Sequence, residues 1–131
     1  IRPMFDFNFA GDLPIYATSH IFSGKTNRKK DTDLNGIYFT DLPWLLEASE
    51  IKSDLEKNQK RAKGVYARLY AMGVDAFRLY PRLNQLSVLP DSKIFGVTGD
   101  LSMDSEGRIH RQMPLARFQR GIPKAINLDK P

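Results

Sequence analysis

The first part of the chain contains two extended apolar runs separated by turn residues. Residues 2–7 form the first run and residues 13–18 the second, with Gly11 and Asp12 between them. Gly and Asp favour tight turns because they tolerate or stabilise turn backbone conformations. The pattern therefore predicts two strands that lie close together in sequence.

A long polar segment follows and leads into a strand and a helix. Residues 23–35 are polar and hold six charged side chains, which predicts a solvated surface loop. Residues 36–40 have the pattern of a buried strand. Asp41 is then the expected N-cap of a helix, with Pro43 in the first helical turn, where a missing N–H costs little.

Two helices are predicted in the middle of the chain. Ser53 and Glu56 have the spacing of a capping box. Apolar side chains follow at i, i+4 and i+7, namely Val65, Leu69 and Met72. The first helix is expected to end with Gly73 at its C′ position.

The second predicted helix starts almost at once, with Asp75 in its first turn, where the helix dipole favours an anion. One face carries Ala76, Leu79, Tyr80, Leu83 and Leu86. Pro81 lies inside this helix and removes a backbone hydrogen bond, so a kink or a later start is expected.

The last third has the pattern of short strands. Residues 94–97, 101–103, 108–112 and 115–119 are extended runs separated by Gly, Asp and Pro. Residues 104–107 have turn composition, so the two runs beside them are expected to pair as an antiparallel hairpin. Mixed helical and extended patterns place the chain in the α/β class.

Composition narrows the possible functions. The 131 residues are 41% hydrophobic, enough for one domain with a core, and no apolar run approaches the length of a membrane span. Cysteine is absent, so disulfides, thiolate nucleophiles and sulfur-based zinc sites are excluded. The net charge of +5 favours association with anionic partners, but it does not identify a particular partner. The start of the chain has no features of a signal sequence, and the true N-terminus is expected upstream.

Two motif-like segments do not support the chemistry they suggest. Residues 31–36 match the first half of an EF-hand loop, but its twelfth position is Leu42, not a bidentate glutamate. Residues 23–26 resemble the end of a P-loop, but Ser19 stands where the first glycine is required. Residues 31–36 are therefore interpreted as a turn and not as a calcium site. Nucleotide binding is rejected for residues 23–26.

No residue is nominated for catalysis, for a metal or for a cofactor. His20 and His110 lie in separate segments without a metal-ligand spacing. The basic residues of segments 25–30 and 57–63 are interleaved or flanked by acidic ones and lack a nucleic-acid recognition motif, so a solvated face is favoured over nucleic-acid binding.

Five segments resemble one known family. They are residues 1–4, 12–19, 36–43, 69–77 and 96–102, in that family's order and spanning nearly the whole chain. The stretch Tyr-Ala-Met-Gly-Val-Asp-Ala at 70–76 is the most specific, whereas the Gly-x-Thr-Gly segment is shared more widely by type I periplasmic binding proteins. The chain thus resembles the C-terminal part of the LpoA (LppC/YraM) outer-membrane lipoproteins of Gram-negative bacteria.

The resemblance implies the C-terminal portion of a two-lobed, Rossmann-like α/β fold of the type I periplasmic-binding-protein kind, with a cleft between the lobes. Residues 1–131 would be one segment contributing to both lobes, with the rest of the domain upstream. The strands and the Trp44 helix are expected in one lobe, the Asp75 helix in the other, and the hairpin formed by residues 100–112 near the hinge. Such a segment alone would leave apolar faces uncovered.

The resemblance also implies a function. The family activates a bifunctional class A penicillin-binding protein, a peptidoglycan synthase, by direct contact from the outer membrane, and is not an enzyme. The full-length protein would be periplasmic and held at the outer membrane by a lipid anchor upstream of this chain.

The alternative is a periplasmic receptor for a small ligand, an amino acid or a cell-wall fragment, bound in the cleft. Because ligands of such folds bind beyond the carboxyl ends of strands, the candidate cleft residues are those after two predicted strands: Thr18, Ser19, Thr40 and Asp41. Turn and N-cap hydrogen bonding is the competing role for these side chains, and is favoured.

Overall fold

The computed structural model describes residues 2–9, 11–89 and 91–126. Their helices are α1 (Arg2–Phe7), α2 (Arg28–Asp31), α3 (Pro43–Leu46), α4 (Glu50–Asn58), α5 (Ala67–Leu79) and α6 (Leu83–Val88). The strands are β1 (Tyr16–Ala17), β2 (Tyr38–Thr40), β3 (Ile94–Phe95), β4 (Asp100–Met103), β5 (Ile109–Gln112), β6 (Leu115–Gln119) and β7 (Ile122–Ile126). Short 3-10 segments connect several of them: Ser19–Ile21, Thr32–Leu34, Lys60–Ala62, Gly64–Tyr66 and Tyr80–Arg82.

The chain divides into two units. The first comprises the described parts of residues 1–41 and 114–131, and the second comprises residues 42–113. Each unit contains one sheet, with strand order β1-β2-β6-β7 in the first and β3-β4-β5 in the second. The second unit is therefore a continuous segment of the chain, while the first is made from two separated segments.

The sheet of the first unit is mixed. β1 and β2 are parallel, and β6 and β7 add to β2 in antiparallel order. One face packs three phenylalanine rings: Phe22, Phe39 and Phe118. Phe39 and Phe118 stack with ring centroids 4.9 Å apart. This aromatic cluster holds the two segments of the first unit together, because β2 and β6 come from its two ends.

The other face of this sheet is lined by a row of larger polar residues. Cross-strand register aligns Tyr16, Tyr38, Arg117 and Lys124. The rings of Tyr16 and Tyr38 stack at 5.3 Å, and the guanidinium of Arg117 lies 5.0 Å from the centre of the Tyr38 ring. Such cation–π contacts are worth about 0.5–1 kcal/mol when exposed.

The second unit is built around Trp44. Its indole Nε1 donates to the carbonyl oxygen of Ala62 at 3.1 Å, and its backbone N–H donates to the carbonyl oxygen of Val97 at 2.9 Å. The buried cluster around the ring consists of Leu42, Ala62, Ala67, Ala71 and Val97. α5 thus contributes its small residues to this cluster, which lets its backbone approach the indole closely.

A second cluster and a hairpin complete this unit. Leu86, Ile94 and Leu101 are buried together, with Leu79 and Met103 packed against them. β4 and β5 pair antiparallel across the turn at residues 104–107, where the N–H of Gly107 donates to the carbonyl oxygen of Asp104 at 3.0 Å. The predicted hairpin is confirmed, as is the buried strand at β2.

Three elements differ from the sequence prediction near the N-terminus. Residues 2–7 form a helix instead of a strand, because Pro3 is tolerated in a first turn and Asn8 Nδ2 caps the end by donating to the Met4 carbonyl oxygen. Only Tyr16–Ala17 of the second run is a strand. The predicted polar loop contains α2, whose N-cap Asn27 accepts from the N–H of Lys30 at 3.2 Å. β7 was not predicted.

The helices of the second unit also differ. Ser49, and not Ser53, caps α4, and the N-cap of α3 is Leu42, not Asp41. The first predicted helix breaks between residues 59 and 66, where Gly64 has φ +72° and the carbonyl oxygen of Ala62 is held by Trp44. α5 then runs through Gly73 without ending.

Three further predictions about the helices can be compared with the structure. α5 buries Ala67, Ala71 and Asp75, whereas Val65 and Leu69 are mostly exposed, so the predicted apolar face of the first helix is wrong. Trp44 and Asp75 belong to the same unit, so the expectation that their helices lie in different lobes is also wrong. Pro81 does disturb the helix, since a 3-10 segment replaces the α-helix at that point.

In the described part of the chain, no helix has the length and apolar character needed to cross a membrane.

Candidate functional site

The candidate cleft residues lie at one edge of the first unit's sheet. β1 and β2 run parallel, with Ala17 opposite Phe39. Thr18 follows the last residue of β1, and Thr40 is the last residue of β2. The carboxyl ends of the two strands therefore bring Thr18, Ser19, Thr40 and Asp41 to the same edge of the sheet, which is where ligands of open α/β folds bind.

The four side chains differ in their access to solvent. Thr18 is exposed, Ser19 and Thr40 are partly exposed, and Asp41 is fully buried. Thr18 is the N-cap of the 3-10 segment Ser19–Ile21, but its side chain makes no capping hydrogen bond. Its backbone carbonyl oxygen accepts from the N–H of Ile21 at 3.1 Å. The hydroxyls at this edge can donate and accept hydrogen bonds, so they suit a polar ligand.

Asp75 forms a buried polar contact with the loop after β3. Its Oδ1 accepts from the N–H of Val97 at 2.9 Å, and its Oδ2 accepts from the N–H and the hydroxyl of Thr98, each at 2.7 Å. Arg78 lies 3.6 Å from Oδ1. Asp75 therefore fixes the loop between β3 and β4 to the middle of α5.

Gly96 makes room for this contact. A Cβ at position 96 would lie 2.5 Å from Asp75 Oδ2 and 2.8 Å from the carbonyl oxygen of Gly99. The sequence pattern places Asp75 in a first helical turn and does not predict this contact. The signal that was available is the pair of glycines around Val97 and Thr98, a pattern typical of close backbone approach.

A second polar network lies in the β4–β5 hairpin. Asp104 Oδ2 is 2.8 Å from His110 Nε2 and accepts from Arg108 Nε at 2.8 Å, while Oδ1 accepts from the N–H groups of Glu106 and Arg108 at 2.9 Å. The hydrogen bond from His110, followed by those from Arg108, holds the pKa of Asp104 well below its usual range. A carboxylate so fully engaged stays ionised, so it does not serve as a proton donor near neutral pH.

These arrangements suit binding and positioning. Within residues 2–9, 11–89 and 91–126, no three His, Cys, Asp or Glu side chains converge as a metal site would require. Asp31, part of the EF-hand-like segment, instead accepts the N–H of Asn27 at 2.9 Å. His20 and His110 lie in different units. The Asp75 contact and the hairpin network hold local structure in place through their hydrogen bonds.

The chain is similar in sequence to characterised proteins. It is 34% identical over 118 residues to the penicillin-binding protein activator LpoA of Haemophilus influenzae, a match that covers 87% of the chain and 20% of the relative. It is 29% identical to the protein of the same name from Yersinia pseudotuberculosis, covering 93% of the chain and 19% of the relative. The chain thus spans about a fifth of the length of these relatives.

Solved structures show the same similarity. The C-domain of LpoA (YraM) from Haemophilus influenzae, described as a regulator of PBP1A, superposes with a TM-score of 0.76 at 29% identity, covering 95% of the chain and 40% of that domain. A Chromobacterium violaceum structure assigned to branched-chain amino acid ABC transport gives a TM-score of 0.55 at 31% identity, covering 82% of the chain and 35% of the other. The fold is α/β, a C-terminal portion of the two-lobed type I periplasmic-binding-protein kind, as predicted.

The model of the family described as "LppC putative lipoprotein" matches residues 1–121, which is most of the chain. The chain belongs to the LppC family.

Proposed function

We propose that this chain is part of a non-catalytic regulator of peptidoglycan synthesis that activates a bifunctional class A penicillin-binding protein by direct contact. The observation that carries the proposal is family membership over residues 1–121, together with relatives named as penicillin-binding protein activators. A solved relative is described as a regulator of PBP1A.

The proposal includes where the protein acts and how the chain contributes. The full-length protein is held at the outer membrane by a lipid anchor outside this chain and reaches the synthase through the periplasm. Residues 1–131 supply the C-terminal segment of its binding-protein-like domain and contribute to both lobes. The family description as a lipoprotein and the partial coverage of the relatives support this.

The test is reconstitution. The purified full-length protein is mixed with its cognate class A synthase, and both glycan polymerisation and peptide cross-linking are measured on a lipid-linked precursor. We expect at least one rate to rise and the two proteins to co-purify. A monofunctional cross-linking enzyme is the control and should not respond. Unchanged rates combined with no co-purification would contradict the proposal.

A second candidate function is binding of a small ligand, and one observation favours it. Thr18 and Thr40 meet at the carboxyl edge of two parallel strands, with Ser19 and Asp41 beside them. We propose that an amino acid or a cell-wall fragment binds there through these hydroxyl groups. Calorimetry of the full-length protein against amino acids and muropeptides tests it, and Thr40→Ala should weaken any binding found. If none of these amino acids and muropeptides gives a heat signal, the proposed ligand site at this edge is contradicted.

A further inference from the structure

Two basic segments that are far apart in sequence meet in the first unit. The turn between β6 and β7 packs against the region of α2: the N–H of Gly121 donates to Asn35 Oδ1 at 2.8 Å. A Cβ at Gly121 would collide with the carbonyl oxygen of Arg28. The hydrogen bond joins the turn to Asn35, and the absence of a Cβ at Gly121 lets the turn approach the backbone of Arg28.

This contact creates a polar groove of about 510 Å³. It is lined by Arg28, Gln119, Arg120, Ile122 and Lys124. The side chains of Arg28, Arg120 and Lys124 are exposed. None of the ion pairs formed within the described residues involves these three cations. Their positive charge is therefore free to act on a ligand.

The carboxylate nearest to Arg28 in the sequence, that of Asp31, does not line the groove. Asp31 is only 9% exposed, and its Oδ2 is engaged by the N–H of Asn27. Lys29 and Lys30 lie beside Arg28 on α2 and are exposed, so they add to the positive potential on this side of the unit.

Arg120 occupies an unusual backbone position. It has φ +53° and Gly121 has φ +69°, so the two residues form the two-residue turn of the β6–β7 hairpin with both backbones left-handed. Asn, Asp or Gly are favoured at such a position, and an arginine there is strained. The strain is consistent with a side chain retained at the turn for binding.

We propose that this groove binds a small multivalent oxyanion, a molecule with at least two adjacent phosphate or carboxylate groups, of which inorganic diphosphate is the simplest probe. The guanidinium fork of arginine matches two oxygens of a phosphate or carboxylate group, while lysine acts as a point charge. Two arginines and one lysine around one groove thus favour adjacent anionic groups over a single one. The inference is independent of the proposed function.

The test is calorimetric titration of the full chain with diphosphate, citrate, monophosphate and acetate at low salt, where charge screening is weak. We expect diphosphate or citrate to bind at least tenfold more tightly than monophosphate or acetate. The double variant Arg28→Gln with Arg120→Gln should weaken diphosphate binding at least tenfold. Lys57→Gln with Lys60→Gln removes the same net charge from the second unit and should change it less than twofold.

A further variant separates binding from folding. Arg120→Gly removes the cation but suits the left-handed backbone, so thermal unfolding should show no loss of stability while diphosphate binding weakens. Unchanged binding by Arg120→Gly, or equal weakening by the matched pair in the second unit, would overturn the proposal. So would binding to phosphatidylglycerol vesicles without binding of any soluble anion, since that result assigns the surface to a membrane.

Discussion

At the scale of single residues, Asp75 links α5 to the loop after β3. Its carboxylate is nearly buried and accepts three hydrogen bonds from Val97 and Thr98. Hydrogen bonds to a charged group contribute about 1.5–3 kcal/mol each in folded proteins, and a buried donor left without a partner costs about 1–3 kcal/mol. The link between α5 and the loop after β3 therefore depends on one side chain.

Replacing Asp75 with alanine should destabilise the chain by roughly 2–5 kcal/mol, because it leaves buried donors without an acceptor. The free energy of unfolding in urea, measured by circular dichroism, checks this. Asp54→Ala is the matched control: Asp54 makes an exposed ion pair with Lys57, and its loss should cost less than about 1 kcal/mol. Equal losses for the two variants would show that the Asp75 contact is not formed.

The lowered pKa of Asp104 predicts how the stability of the hairpin depends on pH. Its pKa is held below the usual range by His110 first and Arg108 second, so the ionised form is stabilised in the folded chain. The resulting stability is present above the ordinary aspartate pKa of about 3.9 and is lost only as pH falls through the lowered value. The hairpin network should thus persist to a pH at which an ordinary aspartate is already protonated.

Carbon-detected NMR titration of the Asp104 carboxyl group measures this directly. We expect the midpoint to lie below the ordinary aspartate range and to rise toward it in His110→Gln, which removes the strongest contact. Arg108→Gln should raise the midpoint as well. A midpoint that does not move in His110→Gln would be inconsistent with the hydrogen bond between the two side chains.

At the scale of elements, the helices of the second unit show how packing overrides local pattern. Gly73 was predicted to end a helix, but α5 continues through it, and nothing lies within 4 Å of a Cβ placed there. α5 buries Ala67 and Ala71 in the cluster around Trp44, and Tyr70 and Val74 pack against the same cluster. The predicted face of Val65, Leu69 and Met72 is therefore not the one that packs on this core.

Gly73→Ala therefore tests the continuous helix. Inside a helix the change should stabilise the chain by about 0.5–1 kcal/mol, because alanine is the better helix former, whereas at a left-handed C′ position it would destabilise. Gly96→Ala is the comparison: its Cβ would meet Asp75 and the Gly99 carbonyl oxygen, so a clear loss is expected. Thermal unfolding of both variants gives the result, and a destabilised Gly73→Ala would favour a helix end at this position.

At the scale of the whole molecule, many large apolar side chains remain exposed. A groove of about 620 Å³ between α4 and α5 is lined by apolar residues that include Leu69 and Phe77, which are 66% and 83% exposed. Exposed apolar surface on this scale is typical of a region that contacts other protein. Uncovered apolar faces of this kind are expected if the chain is one segment of a larger domain.

The chain on its own should bind a hydrophobic dye such as ANS at this groove. We expect enhanced ANS fluorescence, reduced by Leu69→Ser with Phe77→Ser, because the substitutions remove apolar area from the groove. Asp54→Ser with Lys57→Ser, at exposed positions of α4, is the control and should leave the signal unchanged. If ANS fluorescence in the presence of the unsubstituted chain is no greater than that of free dye, the groove is not accessible.

The sequence by itself determined the α/β class, the buried strand at Phe39, the hairpin around Asp104 and the disruption at Pro81. These features depend on local rules: alternation, turn chemistry and the missing proline N–H. It also placed Thr18 and Thr40 after strands, although only the parallel pairing brings them to one edge.

Tertiary structure decided the features that depend on partners distant in the chain. The helix break near Ala62 follows from its hydrogen bond to Trp44, and the buried role of Asp75 follows from the glycine loop more than twenty residues away. The basic groove exists because Gly121 lets the β6–β7 turn approach Arg28. In each case the structure is determined by a contact between segments that are distant in the chain. The local pattern of apolar and polar residues does not encode such contacts.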